Sequence, residues 1–168
     1  MRVALTGTPG TGKTTAADLV NGDFDVIHLN QVIDREGFTQ GVDDDRGSTI
    51  ADLDAVESWL DGRDDVLIES HLAHHVPADR VIVLRCHPET IEQRLRERGE
   101  SPASATENAE SEALDVVLTE AVDRHGTDSV YEIETTDRSP DAVATEIESV
   151  IAGDCEPNPG VVSYIEYL

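Results

Sequence analysis

The sequence predicts an α/β fold in three layers: a five-stranded parallel sheet with helices on both faces. Three observations carry that expectation. Apolar runs such as Val66-Leu67-Ile68 and Val81-Ile82-Val83-Leu84 are short, continuous and rich in β-branched residues, as in strands buried on both faces. Segments of helical spacing alternate with such runs along the chain. Finally, Gly7 to Thr15 (Gly-Thr-Pro-Gly-Thr-Gly-Lys-Thr-Thr) joins the first strand to the first helix in the pattern G-x-x-x-x-G-K-[ST].

The elements follow in order. Arg2 to Thr6 is the first strand, and the first helix runs from Lys13 to about Val20, where Asn21-Gly22 stops it. Phe24 to Leu29 reads as a strand and Asn30 to Glu36 as a short helix ending at Gly37. Gln40 to Ser48 is polar, acidic and punctuated by glycine, which predicts a loop. Leu53, Val56 and Leu60 recur at helical spacing behind Asp52 as N-cap, and Gly62 ends that helix. After the two buried strands, Pro88 opens a helix to about Arg98, and Gly99 to Thr106 reads as a break of small residues. Leu114, Val117, Leu118, Ala121 and Val122 mark one longer helix closing at Gly126. Val130 to Glu134 is the fifth strand, and Ser139-Pro140 supplies N-cap and N1 for a last helix through about Ile151. The tail, Gly153 to Leu168, carries no helix signal. It is expected to pack back on the domain, a partner-binding strand being the alternative.

The G-x-x-x-x-G-K-[ST] pattern is a phosphate-binding loop, and it places the chain among P-loop NTPase-type folds. Glycines let the backbone take positive φ and come close to phosphate oxygens, so that main-chain N–H groups point at them. The first helical turn adds its free donors and the positive end of its dipole. Lys13 is suited to the β- and γ-phosphates, and the Thr14 hydroxyl to Mg²⁺. Lys13 is also the only lysine in 168 residues. A chain that otherwise uses arginine for positive charge has kept a flexible ammonium here.

A length of 168 residues fits one domain with a full core. The net charge is −24, with 36 acidic residues spread through almost every element, while 38% hydrophobic residues argue against disorder. The composition reads as an acidic solvated surface over an ordinary core, suited to a cytosol at molar salt, where the Debye length falls to about 3 Å. Instability at low salt is expected. With 12 basic residues, broad binding to nucleic acid or to an anionic membrane is disfavoured, and a ribonucleoprotein would be met through a basic protein. No 18-residue apolar run or signal peptide is read, and Cys86 and Cys155 lack metal spacing, so a cytoplasmic location is expected.

Ligands of such sheets bind beyond the carboxyl ends of the strands. Glu69 and His71, just past Val66 to Ile68, are candidates for holding Mg²⁺ and for orienting an attacking group. Arg94 and Arg98 share a helix face and suit a clamp on a transferring phosphoryl, whereas Arg96 reads as a surface residue paired within its helix. Arg35 is the candidate for an acceptor phosphate, and Arg46 a weaker one. His71, His74 and His75 resemble a metal cluster, but no cysteine or spaced carboxylate lies beside them, which argues against a dedicated zinc site.

The loop resembles that of adenylate kinases and related nucleoside monophosphate kinases. Adding Glu69-Ser-His71, Arg80-Val-Ile-Val-Leu-Arg85, Arg94-Leu-Arg-Glu-Arg98-Gly99 and Glu107-Asn108-Ala-Glu-Ser-Glu112, the chain from Val3 to Ile151 resembles the small adenylate kinases of the isoenzyme-6 type, nuclear in eukaryotes and present in archaea. The resemblance implies a nucleoside monophosphate kinase with ATPase activity. It also implies a role in late maturation of the small ribosomal subunit, through a basic platform protein of that subunit. By position it implies ATP binding by Gly10, Gly12, Lys13, Thr14, Thr15 and Arg98, and Mg²⁺ on Thr14 and Glu69. It further implies a monophosphate-binding region at about 28–51 with Arg35 on the phosphate, and a lid at about 97–107. Two departures stand out: Glu69-x-His71 replaces the family's Asp-x-His, and the lid lacks the usual basic and aromatic residues.

The expected activity is therefore Mg²⁺-dependent, reversible transfer of the γ-phosphoryl of ATP to AMP or a similar monophosphate, with Lys13, Glu69, His71, Arg94 and Arg98 as catalytic candidates. The alternatives are an ATPase assembly factor acting on a basic ribosomal protein, and a small-metabolite kinase on the same scaffold.

Overall fold

Continuous apolar runs that cannot face water on either side end up in the middle of a sheet, and this determines the architecture of the computed structural model, which describes residues 1–45 and 49–168. The elements are β1 (Arg2–Thr6), α1 (Lys13–Leu19), β2 (Asp25–His28), α2 (Leu29–Glu36), β3 (Thr39–Val42), β4 (Thr49–Ala51), α3 (Leu53–Leu60), β5 (Val66–Glu69), β6 (Arg80–Arg85), α4 (Pro88–Glu97), α5 (Pro102–Ala113), α6 (Val116–His125), β7 (Val130–Glu134) and α7 (Pro140–Ala152). Five strands form one parallel sheet in the order β2-β5-β1-β6-β7. β1, which feeds the phosphate loop, is central, with β5 and β6 on its flanks. The expected α/β fold is the observed one.

Alternate residues of each strand point to opposite faces, so every run feeds two cores. Val3, Leu5, Leu67, Ile82, Leu84 and Ile133 pack with Ala16 and Ala17 of α1 and Val143, Ile147 and Val150 of α7. Ala4, Val66, Ile68, Val81 and Val83 pack on the other face against Val32 and Ile33 of α2, Val56 and Leu60 of α3, and Leu118 and Ala121 of α6. The predicted caps hold: Asp52 accepts from the Ala55 N–H at 3.1 Å, and Ser139 accepts from the Ala142 N–H at 3.2 Å.

Three expectations need correction. Gln40 to Val42, expected in a loop, belongs to β3, which pairs antiparallel with β4 in an exposed ribbon, Thr39 opposite Ala51 and Val42 opposite Thr49. Thr39, Val42, Thr49 and Ile50 are β-branched residues that favour a pleated surface, and a solvated hairpin needs no apolar run to form. Arg46, the weaker phosphate candidate, and the end of that stretch at Ser48 lie outside the described residues. The small-residue break is short as well: α5 begins at Pro102, capped by Ser101, whose hydroxyl accepts from the Ser104 N–H at 3.2 Å. Ser-Pro-Ala-Ser-Ala is a cap, an N1 proline and good helix formers, and Ala105 lets α5 sit closely on Ile91 and Leu95 of α4. Finally, the single long helix before Gly126 is two, because Asp115 takes φ 55° between α5 and α6.

The tail packs on the edge strand β7. Asn158 brackets Glu132, accepting from its N–H at 2.8 Å and donating to its carbonyl at 3.3 Å. The Tyr164 hydroxyl donates to Glu134 at 2.7 Å, and a 3₁₀ turn, Ile165–Tyr167, follows. Among the described residues no helix is long and apolar enough to cross a membrane.

Candidate functional site

Between β1 and α1 the chain reverses tightly against β6. Gly7 has φ 148°, and a Cβ there would lie 2.7 Å from the Leu84 carbonyl oxygen, so no other residue fits without displacing backbone. Gly12, at φ 91°, occupies the position before α1. The curl of the loop encloses Lys13, which is only 7% exposed, and its Nζ donates to the carbonyls of Gly7 at 2.9 Å and Thr8 at 3.1 Å. Burial lowers the Lys13 pKa to about 8, against the opposing pull of Glu69 and Glu112. This is a cation held in place and incompletely neutralised, which a polyanion would complete.

Glu69, at the end of β5, faces the first turn of α1. It accepts from the Thr14 hydroxyl at 3.2 Å through Oε1 and faces Nδ1 of His28 at 2.7 Å through Oε2. Nε2 of His28 lies 2.8 Å from Asp18. Burial alone would lower the His28 pKa, yet the hydrogen bonds to the two carboxylates outweigh it and the net shift is upward. His71 moves the other way: burial, then the Lys13 charge, hold it below the ordinary value and favour neutral imidazole.

A small cavity of about 120 Å³ is bounded by Lys13, Thr14, Asn30, Glu69, His71 and Arg98. Gly10, Gly12, Thr15 and Arg98 also border a larger cleft of about 370 Å³, whose far wall is Thr135, Arg138, Pro140 and Val143. The two spaces meet across the loop glycines, a short polar pocket at one end and a mixed apolar cleft at the other. Thr14 and Glu69 offer hard oxygen donors at a separation close to the roughly 3 Å expected of neighbouring ligands on an octahedral Mg²⁺, so they fit that ion.

Of the candidate residues, Gly10, Gly12, Lys13, Thr14, Thr15, Glu69, His71, Arg94 and Arg98 thus border these joined spaces. Arg98 caps α4 at Glu97 and is exposed, with its side chain at the boundary between the cavities. Arg94 lines the larger cleft beside Arg98, and its Nη1 donates to the Gly10 carbonyl at 2.9 Å, so it also braces the loop. Arg96 pairs with Glu92 at 2.5 Å on the surface, as expected. Arg35 lies outside both cavities, exposed and paired with the adjacent Glu36.

Several contributors were missed in the sequence. His28 is paired in register with Glu69 on the neighbouring strand, a relationship that only the strand order reveals. Glu112 reaches the loop from α5, accepting from the Thr8 hydroxyl at 3.2 Å and the Cys86 N–H at 2.9 Å. It also pairs with Arg85, which is fully buried and reaches Glu132 and Asp115 at 2.5 Å each. The hydroxyl of Thr135 donates to the carbonyls of Thr11 and Arg85.

Residues 3–115 match the family model described as AAA domain. A protein of Natronomonas pharaonis named "Putative adenylate kinase" is 62% identical over 168 residues, covering all of both chains. One of Halobacterium salinarum with the same name is 59% identical over 169 residues, again covering all of both. Among solved structures, shikimate kinase from Bacteroides thetaiotaomicron superposes with a TM-score of 0.56 over 90% of this chain and 98% of its own, at 16% identity, a likeness of fold. With its loop, its sheet order and these relatives, the chain belongs to an adenylate kinase-like family of P-loop proteins.

Proposed function

We propose that this protein is a nucleoside monophosphate kinase that transfers the γ-phosphoryl of ATP reversibly to AMP or a similar monophosphate. The observation that carries this reading is the shared boundary of the two cavities: Lys13, Thr14, Glu69, His71 and Arg98 gather in the polar one, and the adjoining cleft has room for a nucleoside. The names of the relatives point to the same chemistry. In this reading the loop amides and Lys13 hold the β- and γ-phosphates, and Arg98, on the rim, neutralises charge that builds up during transfer. Arg94 keeps the Gly10 carbonyl turned away from the phosphates. Thr14 and Glu69 would hold Mg²⁺, which when bound would neutralise charge on the nucleotide phosphates. Glu69 and His71 orient the acceptor, or a water when the acceptor is absent, giving ATP hydrolysis as a side activity. Arg35, exposed on α2 and outside both cavities, is the candidate for the acceptor phosphate.

A second reading, an ATPase that assists maturation of the small ribosomal subunit through a basic ribosomal protein, is favoured by one surface feature. A groove of about 890 Å³ between Asp45 and helices α5 and α6 is bordered by Glu107, Glu110 and Glu120 and by no basic side chain among its described residues. Such a groove attracts a cationic segment and repels a monophosphate.

A coupled assay in molar KCl with Mg²⁺ separates the readings. AMP-dependent formation of ADP from ATP supports the kinase. AMP-independent phosphate release, stimulated by a basic protein, supports the assembly factor. Turnover only with a hydroxyl or carboxylate metabolite would overturn both.

A further inference from the structure

The connection from β5 to β6 carries His74 and His75 in a 3₁₀ turn, Ala73–His75, and α6 packs across it. Along the sequence these imidazoles have no cysteine or spaced carboxylate beside them, and the fold supplies a carboxylate from α6. Nε2 of His74 lies 2.8 Å from Oε2 of Glu120, and Nε2 of His75 lies 3.7 Å from the same oxygen. One ligand atom from each residue falls within 4.8 Å of the other two, the only such grouping among the described residues. Around a tetrahedral zinc ion at about 2.0–2.1 Å, ligand atoms stand roughly 3.3–3.4 Å apart. The two separations to Glu120 lie on either side of that spacing.

The surroundings are those of an oriented ligand set. The Thr6 hydroxyl meets Nδ1 of His74 at 2.7 Å, which fixes the ring so that Nε2 is aimed at Glu120. Nε2 of His125 donates to the His74 carbonyl at 2.7 Å and ties the turn to the end of α6. His74 is buried, while the side chains of His75 and Glu120 are 32% and 47% exposed, leaving a path for an ion and a position for water.

We propose that His74, His75 and Glu120 form a binding site for a borderline transition-metal dication of the zinc class, with three protein ligands and water in the fourth position. The donor set separates this site from Thr14 and Glu69: two imidazoles select zinc-like ions, and hard oxygens select Mg²⁺. An ion here bonds α6 to the β5–β6 connection three residues beyond His71. It therefore stiffens the wall behind the polar cavity without touching the nucleotide.

The test uses the full chain, stripped with a chelator and dialysed into molar KCl with excess Mg²⁺ and saturating ADP, then titrated with Zn²⁺ and separately with Co²⁺. One equivalent of Zn²⁺ is expected, with the visible Co²⁺ absorption of a four-coordinate site and a higher melting temperature. Glu120→Gln and His75→Ala, both at accessible positions, should each weaken Zn²⁺ binding by about tenfold or more. Asp128→Asn, away from the turn, should match the parent. Failure to bind a stoichiometric ion with ADP present, or parent-like affinity in both variants, would overturn the proposal.

Discussion

The Thr14 hydroxyl and the Glu69 carboxylate meet at 3.2 Å across the mouth of the phosphate loop, and the second oxygen of the same carboxylate is held by His28. Glu69 is therefore positioned from both sides. His28, raised by its carboxylate partners, should titrate above His71, lowered by burial and by Lys13. Because the folded value of His28 lies above its unfolded value, its pairing stabilises the fold fully below the unfolded pKa. That contribution is lost as pH rises through the folded one. Histidine NMR titration should show this order, and Glu69→Gln should lower the His28 value. A His28 that titrates at or below His71 would contradict the pairing.

Lys13 sets a second pH dependence. Its pKa near 8 in the free protein lies below the ordinary lysine value of 10.5, and a bound triphosphate should raise it. Above pH 8 binding must then take up a proton, so ATP affinity should fall by up to about tenfold per pH unit. In the same window the unfolded chain holds more protons than the folded one, so this group makes the free protein more stable as pH rises from about 8 to 10.5. Calorimetry in buffers of different ionisation enthalpy measures the proton uptake. A flat affinity across that range would contradict it.

The two arginines of α4 should separate by phenotype. Arg98→Ala should lower kcat by about 10³ with a smaller effect on ATP affinity, as for a cation that meets charge formed during transfer. Arg94→Ala removes the brace on the Gly10 carbonyl and should weaken ATP binding and lower the melting temperature, at a cost of about 1–3 kcal/mol. The two variants behaving alike would show that the division of roles is wrong.

Charge makes a prediction independent of the site. At −24 the surface repels itself, and the screening length shortens to about 3 Å at 1 M salt. The melting temperature should rise between 0.1 M and 2 M KCl. No change, or a fall, would remove the argument for a high-salt cytosol.

What was legible in the sequence follows from what each feature depends on. The phosphate loop is a contiguous motif, with its glycines, Lys13 and Thr14 at fixed spacing, so the pattern alone located them. The buried strands were legible because a run such as Val81 to Leu84 has one stable environment. The exposed ribbon β3–β4 was not, because its pairing relies on backbone and β-branched surface residues rather than on a core. Helix α5 was hidden behind small residues that favour a helix once Ser101 and Pro102 start it. The His28–Glu69 and Arg85–Glu112 contacts depend on strand order and on which helix crosses which strand, information absent from spacing. The carboxylate that completes the His74–His75 pair arrives from α6 for the same reason.

The most direct measurement of the central claim is a titration of the purified chain with ATP in molar KCl and Mg²⁺, followed by amide NMR across residues 7–15 and repeated with Lys13→Ala. Saturable shifts concentrated in those amides, lost in a variant that keeps its fold, are the predicted result. Shifts that are absent from the loop, or that persist unchanged without the lysine, would contradict the account.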